Sequence, residues 1–587
     1  MNGQAIQASL ARAAQWITAT PTLCLLALCL AVYLPGVLRL PAVDRTEVIY
    51  AETTRDMVAR HVWLDPRYGG AVHQYRPIGT FWAQALSAKL AGAEHARDIY
   101  VYRLPGMIAV LLSVLVLYWM SRGLVGRTTA FIAAGLFAVA PLTVLDSNLA
   151  IAEGLSLLPA TVAMLALLRI YLVPREDDMR RMDLLFWAAL GLGMLINALL
   201  VPILVAVTLI ALYAFDRDLS WLKRTYPLTG VPLALSIAAP WIIVRFMQDG
   251  VPFAGLSFSG LLHALGGAQD MKLRAWPGTF VLAAILGFLP GTALLAPAFL
   301  KLWSERDAKI ARFLLSWVIG YVVYLEVLSS KPGTYMVQTM FPAFALAVAM
   351  LVTSEDGKIP LPKFHAIPWP PLAALLALAL FSLPFGVTRE QPQLWLAPLA
   401  LVTAVFFYWS AQEGRAGQLK DWAATSILAL GIFAATLLGG ILPSIPKIWP
   451  AQQIARAVAE CPAHSSSPDR LGVFGFTEPT GRFVLNPDAE LSTREGLGKL
   501  ADGTLPGLAV IDQSWYEQNP RALNREQQTK IKPIACLRAI NTMRGCTETL
   551  SVVANTQAPP CPVPPEFACT EAFLMQSNAP GILKDCN

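Results

Sequence analysis

Two carboxylates stand three residues apart in the stretch VDRTEVIYAETTRDM, residues 43–57. Six of these fifteen residues are charged, although charged residues make up only 14% of the chain. Asp44 and Glu47 precede a helical pattern that continues through Met57, so one interpretation is an acidic N-cap with its capping-box partner. The other is a general base or a cation ligand, because a carboxylate held near an acceptor hydroxyl can take its proton. The residues alone leave both interpretations open.

Two cations have the side chains and the setting to bind a phosphate. Arg76, in HQYRPIGTFW, precedes Pro77, which favours an extended backbone just before the next helix. A guanidinium there can bind a phosphate through two hydrogen bonds, although a lone Arg can also extend to the membrane surface without a ligand. Lys331, in SSKPGTYMVQTMFPAFALA, is followed by Tyr335 and stands in an outside loop where Lys is otherwise rare, which favours a phosphate partner.

A third carboxylate and a second loop complete the candidates. Glu153, in DSNLAIAEGLSLL, lies at the outer end of an apolar run. A carboxylate at that depth is costly and often functional, but it can also stabilise a helix N-terminus. The second outside loop contains His263, Lys272 and Arg274. His263 has no second His or Cys at ligand spacing, so no metal site is predicted.

Composition identifies the elements that must position these residues. Hydrophobic residues make up 55% of the 587 residues, and the mean hydropathy is +0.52, which excludes an ordinary soluble enzyme and predicts a polytopic α-helical membrane protein. About 20 apolar residues are needed for each helical span. We predict about thirteen spans, close to residues 22–40, 101–120, 128–146, 155–173, 184–198, 199–215, 228–246, 277–299, 313–329, 335–353, 368–387, 393–410 and 423–442.

The distribution of Lys and Arg orients these spans. With a cytoplasmic N-terminus, the inside connections contain most of these residues and the short outside loops contain few. Asn197 and Pro202 near the middle of 184–215 favour two helices there. An odd number of spans places residues beyond 443 outside. The net charge of +6 follows from the same bias, so no nucleic-acid partner is predicted.

The expected organisation has three parts. Residues 1–443 form the membrane domain, with outside loops at 41–100 and 247–276. Residues 444–557 form a small α/β domain, and residues 558–587 form a cysteine-rich tail.

Two helices are expected in the first outside loop, near residues 46–60 and 79–91. Phe81, Trp82, Leu86 and Leu90 are expected to share the face of the second helix that lies along the membrane surface.

Local patterns in the C-terminal part predict a mixed fold. The expected strands are 471–476, 481–486, 508–512 and 548–554, and the expected helices are 487–501 and 521–531. Six cysteines fall in this part: Cys461, Cys536, Cys546, Cys561, Cys569 and Cys586. In an exported segment they indicate disulfides, with about fifteen connectivities open. Scattered free thiols are the alternative.

The order of the motifs resembles that of a known family. DRTEVIYAETTRDM, YRPIGTFW, YRLP, NLAIAEG, WPGTFVLAAILGFLPG and SSKPGTYMVQTMFPAFAL follow one another as they do in bacterial lipid-linked sugar transferases of the aminoarabinose transferase and protein O-mannosyltransferase type, which share the GT-C fold. The resemblance covers the membrane region to about residue 353 and, more loosely, the outside domain through FTEPTGRFVLN. It implies thirteen spans, two surface helices in the first outside loop, and a polyprenyl-phosphate-sugar donor.

The resemblance assigns the acidic candidates. Thr46 and Glu47 occupy the family's Asp-Glu pair, so that Glu47 or Asp44 would supply the catalytic carboxylate. Glu153 stands where the family has Asp.

The same resemblance assigns the lipid-phosphate contacts. Arg76 falls on a Lys that faces the phosphate, Tyr75 replaces a Glu or Lys beside it, and Tyr50 falls on an aromatic position. Lys331 and Tyr335 match the Lys-Pro and Tyr of the later loop. The family's Lys in LTKG is absent from GMLINA at 193–198, which implies that one lipid-phosphate contact is weakened or moved.

These implications give an expected function. The chain would be a monomeric glycosyltransferase of the bacterial inner membrane that moves a sugar from a polyprenyl phosphate to lipid A, another glycan or a protein on the periplasmic face. Arg76 and Lys331, with Arg274, would stabilise the departing phosphate. The sequence identifies no cofactor with certainty and leaves a divalent cation open. A lipid-linked sugar flippase and a catalytically inactive scaffold are the alternatives; a flippase should carry ionisable residues near span centres.

Overall fold

A computed structural model shows the chain as two compact units. The structure describes residues 19–43, 45–68, 71–72, 77–173, 179–249, 276–328, 334–354, 397–461, 471–476, 479–485, 488, 490–541 and 546–569. The first unit comprises Met1–Leu40, Thr53–Phe381 and Leu394–Gly440, and the second comprises Pro41–Glu52, Ser382–Gln393 and Ile441–Asn587.

The first unit is helical. Its helices are α1 (Pro21–Arg39), the second part of α2 (Arg45–Arg60), α3 (Gly79–Ala91), α4 (Ile99–Val125), α5 (Arg127–Val139), α6 (Pro141–Ser147), α7 (Ala152–Leu172), α8 (Met179–Ile196), α9 (Leu200–Asp216), α10 (Pro227–Asp249), α11 (Thr279–Gly287), α12 (Leu295–Ser304), α13 (Lys309–Val323), α14 (Phe341–Thr353), α15 (Ala397–Ala416) and α16 (Leu419–Thr436). A two-residue ladder, β1 (Arg67–Tyr68) with β2 (Ala71–Val72), follows α2.

Many of these helices are built to cross a membrane. Among the described residues, seven helices are long and apolar enough, and the number rises to nine if each of two bent pairs counts as one span. The bend between α5 and α6 is 64°. The bend between α11 and the segment Gly291–Ser304, which contains α12, is 111°. Helices coincide with twelve of the thirteen predicted runs, and the run at 368–387 lies outside the described residues. Thirteen spans therefore stay a prediction.

The apolar composition explains which helices lie inside. Helix α7 is hydrophobic all round and is buried along nearly its whole length between α4 and α8, as expected for a helix without a polar face. The predicted break near Asn197 and Pro202 is confirmed, because α8 ends at Ile196 and α9 begins at Leu200.

The loop at 41–100 contains both predicted helices. Helices α2 and α3 match the expected ranges closely. On α3, Trp82, Leu86 and Leu90 are 37%, 62% and 80% exposed, but Phe81 is fully buried. The prediction that Phe81 shares their face is wrong, because a helix turns about 100° per residue, and only positions four apart stay aligned.

The second unit contains a four-stranded sheet. Its strands are β3 (Leu471–Phe474), β4 (Leu508–Asp512), β5 (Ile531–Asn541) and β6 (Cys546–Asn555), in the order β3-β4-β6-β5. β3 and β4 are parallel, and the other two pairs are antiparallel. The helices of this unit, besides the first part of α2, are α17 (Pro450–Val458), α18 (Pro479–Leu485), α19 (Arg494–Ala501), α20 (Gln513–Gln518) and α21 (Arg525–Thr529).

Both faces of this sheet are covered, which explains its central strand. Leu508 and Val510 pack in one hydrophobic cluster with Ile454 of α17, whereas Ala509 and Ile511 pack on the other face. A strand buried on both faces needs apolar residues at successive positions, as in LAVI at 508–511.

Two expectations for this unit are wrong. Residues 481–486 are not a strand but lie largely in α18, where Pro479 occupies the first position, which tolerates Pro. Strand β5 was not expected, because Pro533 interrupts its pattern. β5 lies at the edge of the sheet and has an irregularity between Pro533 and Ala535, where Pro is accepted.

Disulfides join the tail to this unit. Cys461 pairs with Cys561 and Cys536 pairs with Cys569. Cys546 is also disulfide-bonded, and Cys586 lies outside the described residues. The expected disulfides are therefore confirmed for five of the six cysteines.

Candidate functional site

The structure describes three of the predicted site residues with their side chains. Glu47 and Tyr50 lie on α2 and are 0% and 2% exposed, and Glu153 lies in the first turn of α7 and is 7% exposed. Tyr335 is described only as part of a 3-10 helix, Thr334–Met340. The remaining candidates lie outside the described residues: Asp44, Tyr75, Arg76, His263, Lys272, Arg274 and Lys331.

Glu47 is held at the start of its helix. Its Oε2 atom accepts a hydrogen bond from the backbone N–H of Val43 at 3.1 Å. The carboxylate thus reaches back to an amide that precedes the helix, as the N3 residue of a capping box does. This contact therefore holds the buried carboxylate of Glu47 at the start of the helix.

A second carboxylate on α2 has a partner that sequence reasoning missed. Glu52 is 4% exposed, and its Oε1 atom lies 3.7 Å from Nε of Arg482 on α18. Both residues belong to the second unit. Glu52 stood in the charged stretch and Arg482 in FTEPTGRFVLN, but no local pattern pairs residues so far apart. This ion pair joins the proposed catalytic helix α2 to the C-terminal part of the chain.

In the first unit, buried polar side chains connect three segments near Glu153. Thr54 of α2 donates to Oε1 of Gln84 on α3 at 2.8 Å, and Nε2 of Gln84 donates to the backbone oxygen of Ala150 at 3.0 Å. Thr54 and Gln84 are at most 1% exposed. Because buried polar groups are stable only when they are paired, this chain of bonds fixes the segment that leads into Glu153.

Asp146 is the buried carboxylate that lies beside Glu153. It is fully buried on α6 and accepts a hydrogen bond from Nε2 of Gln338, itself 1% exposed. Glu153 lies close enough to Asp146 for their charges to interact. A Cβ atom on Gly154 would come within 2.7 Å of the Asp146 backbone oxygen, so glycine permits the close approach of α7 to α6.

Arg103 fixes the C-terminal end of α1. The side chain is fully buried at the start of α4, and its Nη1 atom donates to the backbone oxygen of Leu40 at 2.5 Å. The sequence displayed this residue in YRLP without indicating its role. Arg103 satisfies a carbonyl that follows the last turn of α1, where helices lack internal partners.

The first unit thus brings two acidic side chains together in an apolar surrounding. A carboxylate there interacts strongly with a nearby charge or hydroxyl, because low polarity strengthens electrostatic contacts. Among the described residues, no group of three or more His, Cys, Asp or Glu side chains is placed to hold a metal ion.

The fold is similar to that of a solved membrane protein, ArnT. The crystal structure of ArnT from Cupriavidus metallidurans bound to undecaprenyl phosphate superposes with a TM-score of 0.70, covering 92% of this chain and 100% of that chain at 19% identity. The same protein in the apo state gives a TM-score of 0.68 over 92% of this chain. The predicted fold, a polytopic helical membrane protein of this type, is confirmed at that level.

Sequence comparison agrees with the fold. Residues 75–244 match the family described as dolichyl-phosphate-mannose-protein mannosyltransferase. The undecaprenyl phosphate-alpha-4-amino-4-deoxy-L-arabinose arabinosyl transferase of Aeromonas salmonicida is 30% identical over 53% of this chain and 56% of its own length. Its counterpart in Aeromonas hydrophila is 29% identical over 62% of this chain and 66% of its own length. The matches span less than two thirds of these relatives. The predicted resemblance to aminoarabinose transferases and protein mannosyltransferases is confirmed.

Proposed function

We propose that this chain is a glycosyltransferase of the bacterial inner membrane that transfers a sugar from a polyprenyl-phosphate donor to an acceptor on the periplasmic face. The observation that carries the proposal is the agreement of its fold, over 92% of the chain, with a transferase crystallised with undecaprenyl phosphate. The sequence matches to transferases named for an undecaprenyl-phosphate-linked sugar support the same class of donor.

The topology belongs to this proposal. With the N-terminus in the cytoplasm, thirteen spans would place the part from 444 onwards in the periplasm. The disulfides of the C-terminal part favour that side, because disulfides persist in oxidising compartments. Membrane domain 1–443, α/β domain 444–557 and tail 558–587 would act together as a monomer.

The proposed reaction forms one bond and breaks one. An acceptor oxygen attacks the anomeric carbon of the donor sugar, the bond from that carbon to the phosphate oxygen breaks, and polyprenyl phosphate leaves with the bonding electrons. Glu47 or Asp44 takes the proton of an acceptor hydroxyl, or orients the acceptor, and Glu153 assists.

The cations and tyrosines would serve the leaving group. Arg76, Lys331 and Arg274 would bind the phosphate, whose negative charge grows as the bond breaks, and preorganised cations lower that barrier most. Tyr50, Tyr75 and Tyr335 would complete the donor site. The acceptor would be lipid A, another glycan or a protein.

Mass spectrometry of envelope lipids and glycans tests the proposal in cells with and without the protein. We expect loss of one sugar from one glycoconjugate and accumulation of its polyprenyl-phosphate donor. A redistribution of the lipid-linked sugar across the membrane with unchanged glycans would contradict transfer and identify a flippase. No change in either would identify an inactive scaffold.

Single substitutions then test the site. Glu47→Ala, Asp44→Ala and Arg76→Ala are each introduced into the complemented strain, with the exposed Glu94→Gln as a matched control. We expect loss of transfer with Arg76→Ala and with at least one of the two acidic variants. Full transfer by all three would show that the site lies elsewhere.

A further inference from the structure

Glu326 is a carboxylate near the C-terminal end of a mainly apolar helical segment. It lies in the π-helical turn Tyr324–Leu328 that follows α13, in a segment long and apolar enough to cross a membrane. Ionisable residues in such segments are costly and usually have a specific partner, and π-helical turns often mark functional positions. The proposed reaction assigns Glu326 no role.

The partners of Glu326 are two amides at the start of α11. Its Oε2 atom accepts from the N–H of Gly278 at 2.8 Å, and its Oε1 atom accepts from the N–H of Val281 at 3.0 Å. These are the N-cap and N3 amides of α11, which have no acceptor inside their own helix. Glu326 therefore performs both halves of a capping box for a helix 45 residues earlier in the chain.

The local sequence explains why a distant residue is needed. Gly278 has φ +88°, a left-handed conformation that favours glycine. Glycine has no side-chain oxygen with which to cap the helix. The carboxylate supplies two charge-assisted hydrogen bonds at the positive end of the helix dipole, which is where an anion is most stable.

Helix α11 packs on the segments that hold Asp146. It contacts the 3-10 helix Thr334–Met340, which contains Gln338, and it also contacts α6, which contains Asp146. At the far end of α11, a Cβ atom on Gly287 would lie 3.0 Å from Leu142 and 3.1 Å from Phe341. This packing is so close that a shift of α11 must displace the segments that contain Leu142 and Phe341.

We propose that Glu326 is a positioning residue for the transfer reaction. It fixes the start of α11, and α11 in turn fixes the Asp146 and Gln338 pair beside Glu153. The inference rests on the proposed function, since it names the support of the same site. Glu326 itself touches no substrate.

Two measurements on the purified full-length protein in phospholipid vesicles test this role. The first is hydrogen exchange of the backbone amides in the peptide covering 276–287. The second is steady-state transfer, with undecaprenyl-phosphate-linked aminoarabinose as donor and lipid A as acceptor. The variants are Glu326→Gln, which keeps one acceptor oxygen, and Glu326→Ala, which keeps none. Glu305→Gln is the matched control, because Glu305 is exposed and pairs only loosely with Lys301 at 3.7 Å.

We expect exchange in 276–287 to accelerate about tenfold in Glu326→Gln and more in Glu326→Ala. We expect kcat to fall about tenfold in Glu326→Gln and further in Glu326→Ala, while KM for the donor stays within twofold. The apparent Tm should change little, and Glu305→Gln should behave as the wild type in every measurement. The split between kcat and KM is the mark of a misplaced catalytic group rather than of a lost binding site.

The outcomes separate the two proposals. Faster exchange with unchanged kcat would overturn the positioning role and leave transfer intact. Unchanged exchange in Glu326→Ala would overturn the capping itself. If the wild-type protein transfers no sugar with these substrates, the proposed donor and acceptor are contradicted, and the positioning role falls with them. The exchange measurement would still test whether Glu326 caps α11.

Discussion

Gln338 donates a hydrogen bond to Asp146 across 192 residues of sequence, and both side chains are almost completely buried. The bond joins the 3-10 helix that also contains Tyr335 to α6, which lies directly before the Glu153 helix. Two segments assigned to the proposed site by resemblance are thus held together by a pair that the resemblance did not single out.

Gln338→Leu should therefore destabilise the protein strongly. The variant leaves the buried carboxyl group of Asp146 without its hydrogen-bond donor, which typically costs about 1 to 3 kcal/mol. The double variant Gln338→Leu with Asp146→Leu removes the unsatisfied carboxyl group as well and should recover much of that loss. The measurement is the fraction of solubilised protein that stays monodisperse after heating.

Gln453→Leu is the matched control. Gln453 is 6% exposed, and its Nε2 atom donates to the backbone oxygen of Pro446 at 2.5 Å. Because the Pro446 oxygen also accepts from the N–H of Trp449, losing Gln453 should cost only about 0.5 to 1.5 kcal/mol. Equal effects of Gln338→Leu and Gln453→Leu, or no recovery in the double variant, would contradict the importance of the hydrogen bond to Asp146.

Glu153→Gln should lower kcat for sugar transfer about a hundredfold, at the lower end of what a positioned acid or base contributes. Glu153→Asp keeps the charge and should keep more activity. Initial rates at saturating donor check both variants, with Glu94→Gln as the control. If Glu153→Gln transfers sugar at the wild-type rate, the role of Glu153 is only to stabilise the N-terminus of α7.

The sequence predicted the parts of the fold that depend on local periodicity. Apolar spacing and length predicted three features: the helices of the loop at 41–100, the break between Ile196 and Leu200, and the central strand LAVID. Phe81 was assigned to the wrong face. Trp82, Leu86 and Leu90 are spaced four residues apart and lie on one face of the helix, whereas Phe81 does not share that spacing.

Contacts between distant residues could not be predicted in this way. Asp146 stood in the quoted motif with Glu153, but its partner Gln338 comes from a segment 192 residues later. The same holds for Glu326 and the amides of α11. Such pairs are fixed by packing of helices, for which a single sequence provides no periodic signal.

The stripe formed by Trp82, Leu86 and Leu90 should be covered by lipid. These side chains are exposed, and an amphipathic helix buries such a face in the membrane interface. In membrane vesicles, Leu86→Cys should react with a charged maleimide at least about tenfold more slowly than the control Glu94→Cys. Equal rates would contradict the contact with lipid.

The two defined disulfides should differ in their contribution to stability. Cys461 and Cys561 close a loop of 100 residues, and Cys536 and Cys569 close one of 33. Loop entropy predicts about 4.7 and about 3.7 kcal/mol. Replacing the first pair by Ala should therefore lower the Tm of the C-terminal part more than replacing the second. Cys24→Ala, at a free cysteine, should leave it unchanged, and the reverse order of the two pairs would contradict the entropic account.

The ion pair between Glu52 and Arg482 should couple α2 to the C-terminal part of the chain. Glu52 is nearly buried, whereas the side chain of Arg482 is 45% exposed, so we expect a coupling energy of only about 1 kcal/mol. A double-mutant cycle with Glu52→Gln and Arg482→Gln measures it, with thermal stability and transfer rate as separate readouts. Because Glu47 lies on the same helix, the transfer rate should show the same coupling. Additive effects of the two substitutions in both readouts would mean that the two side chains are neighbours without an energetic connection.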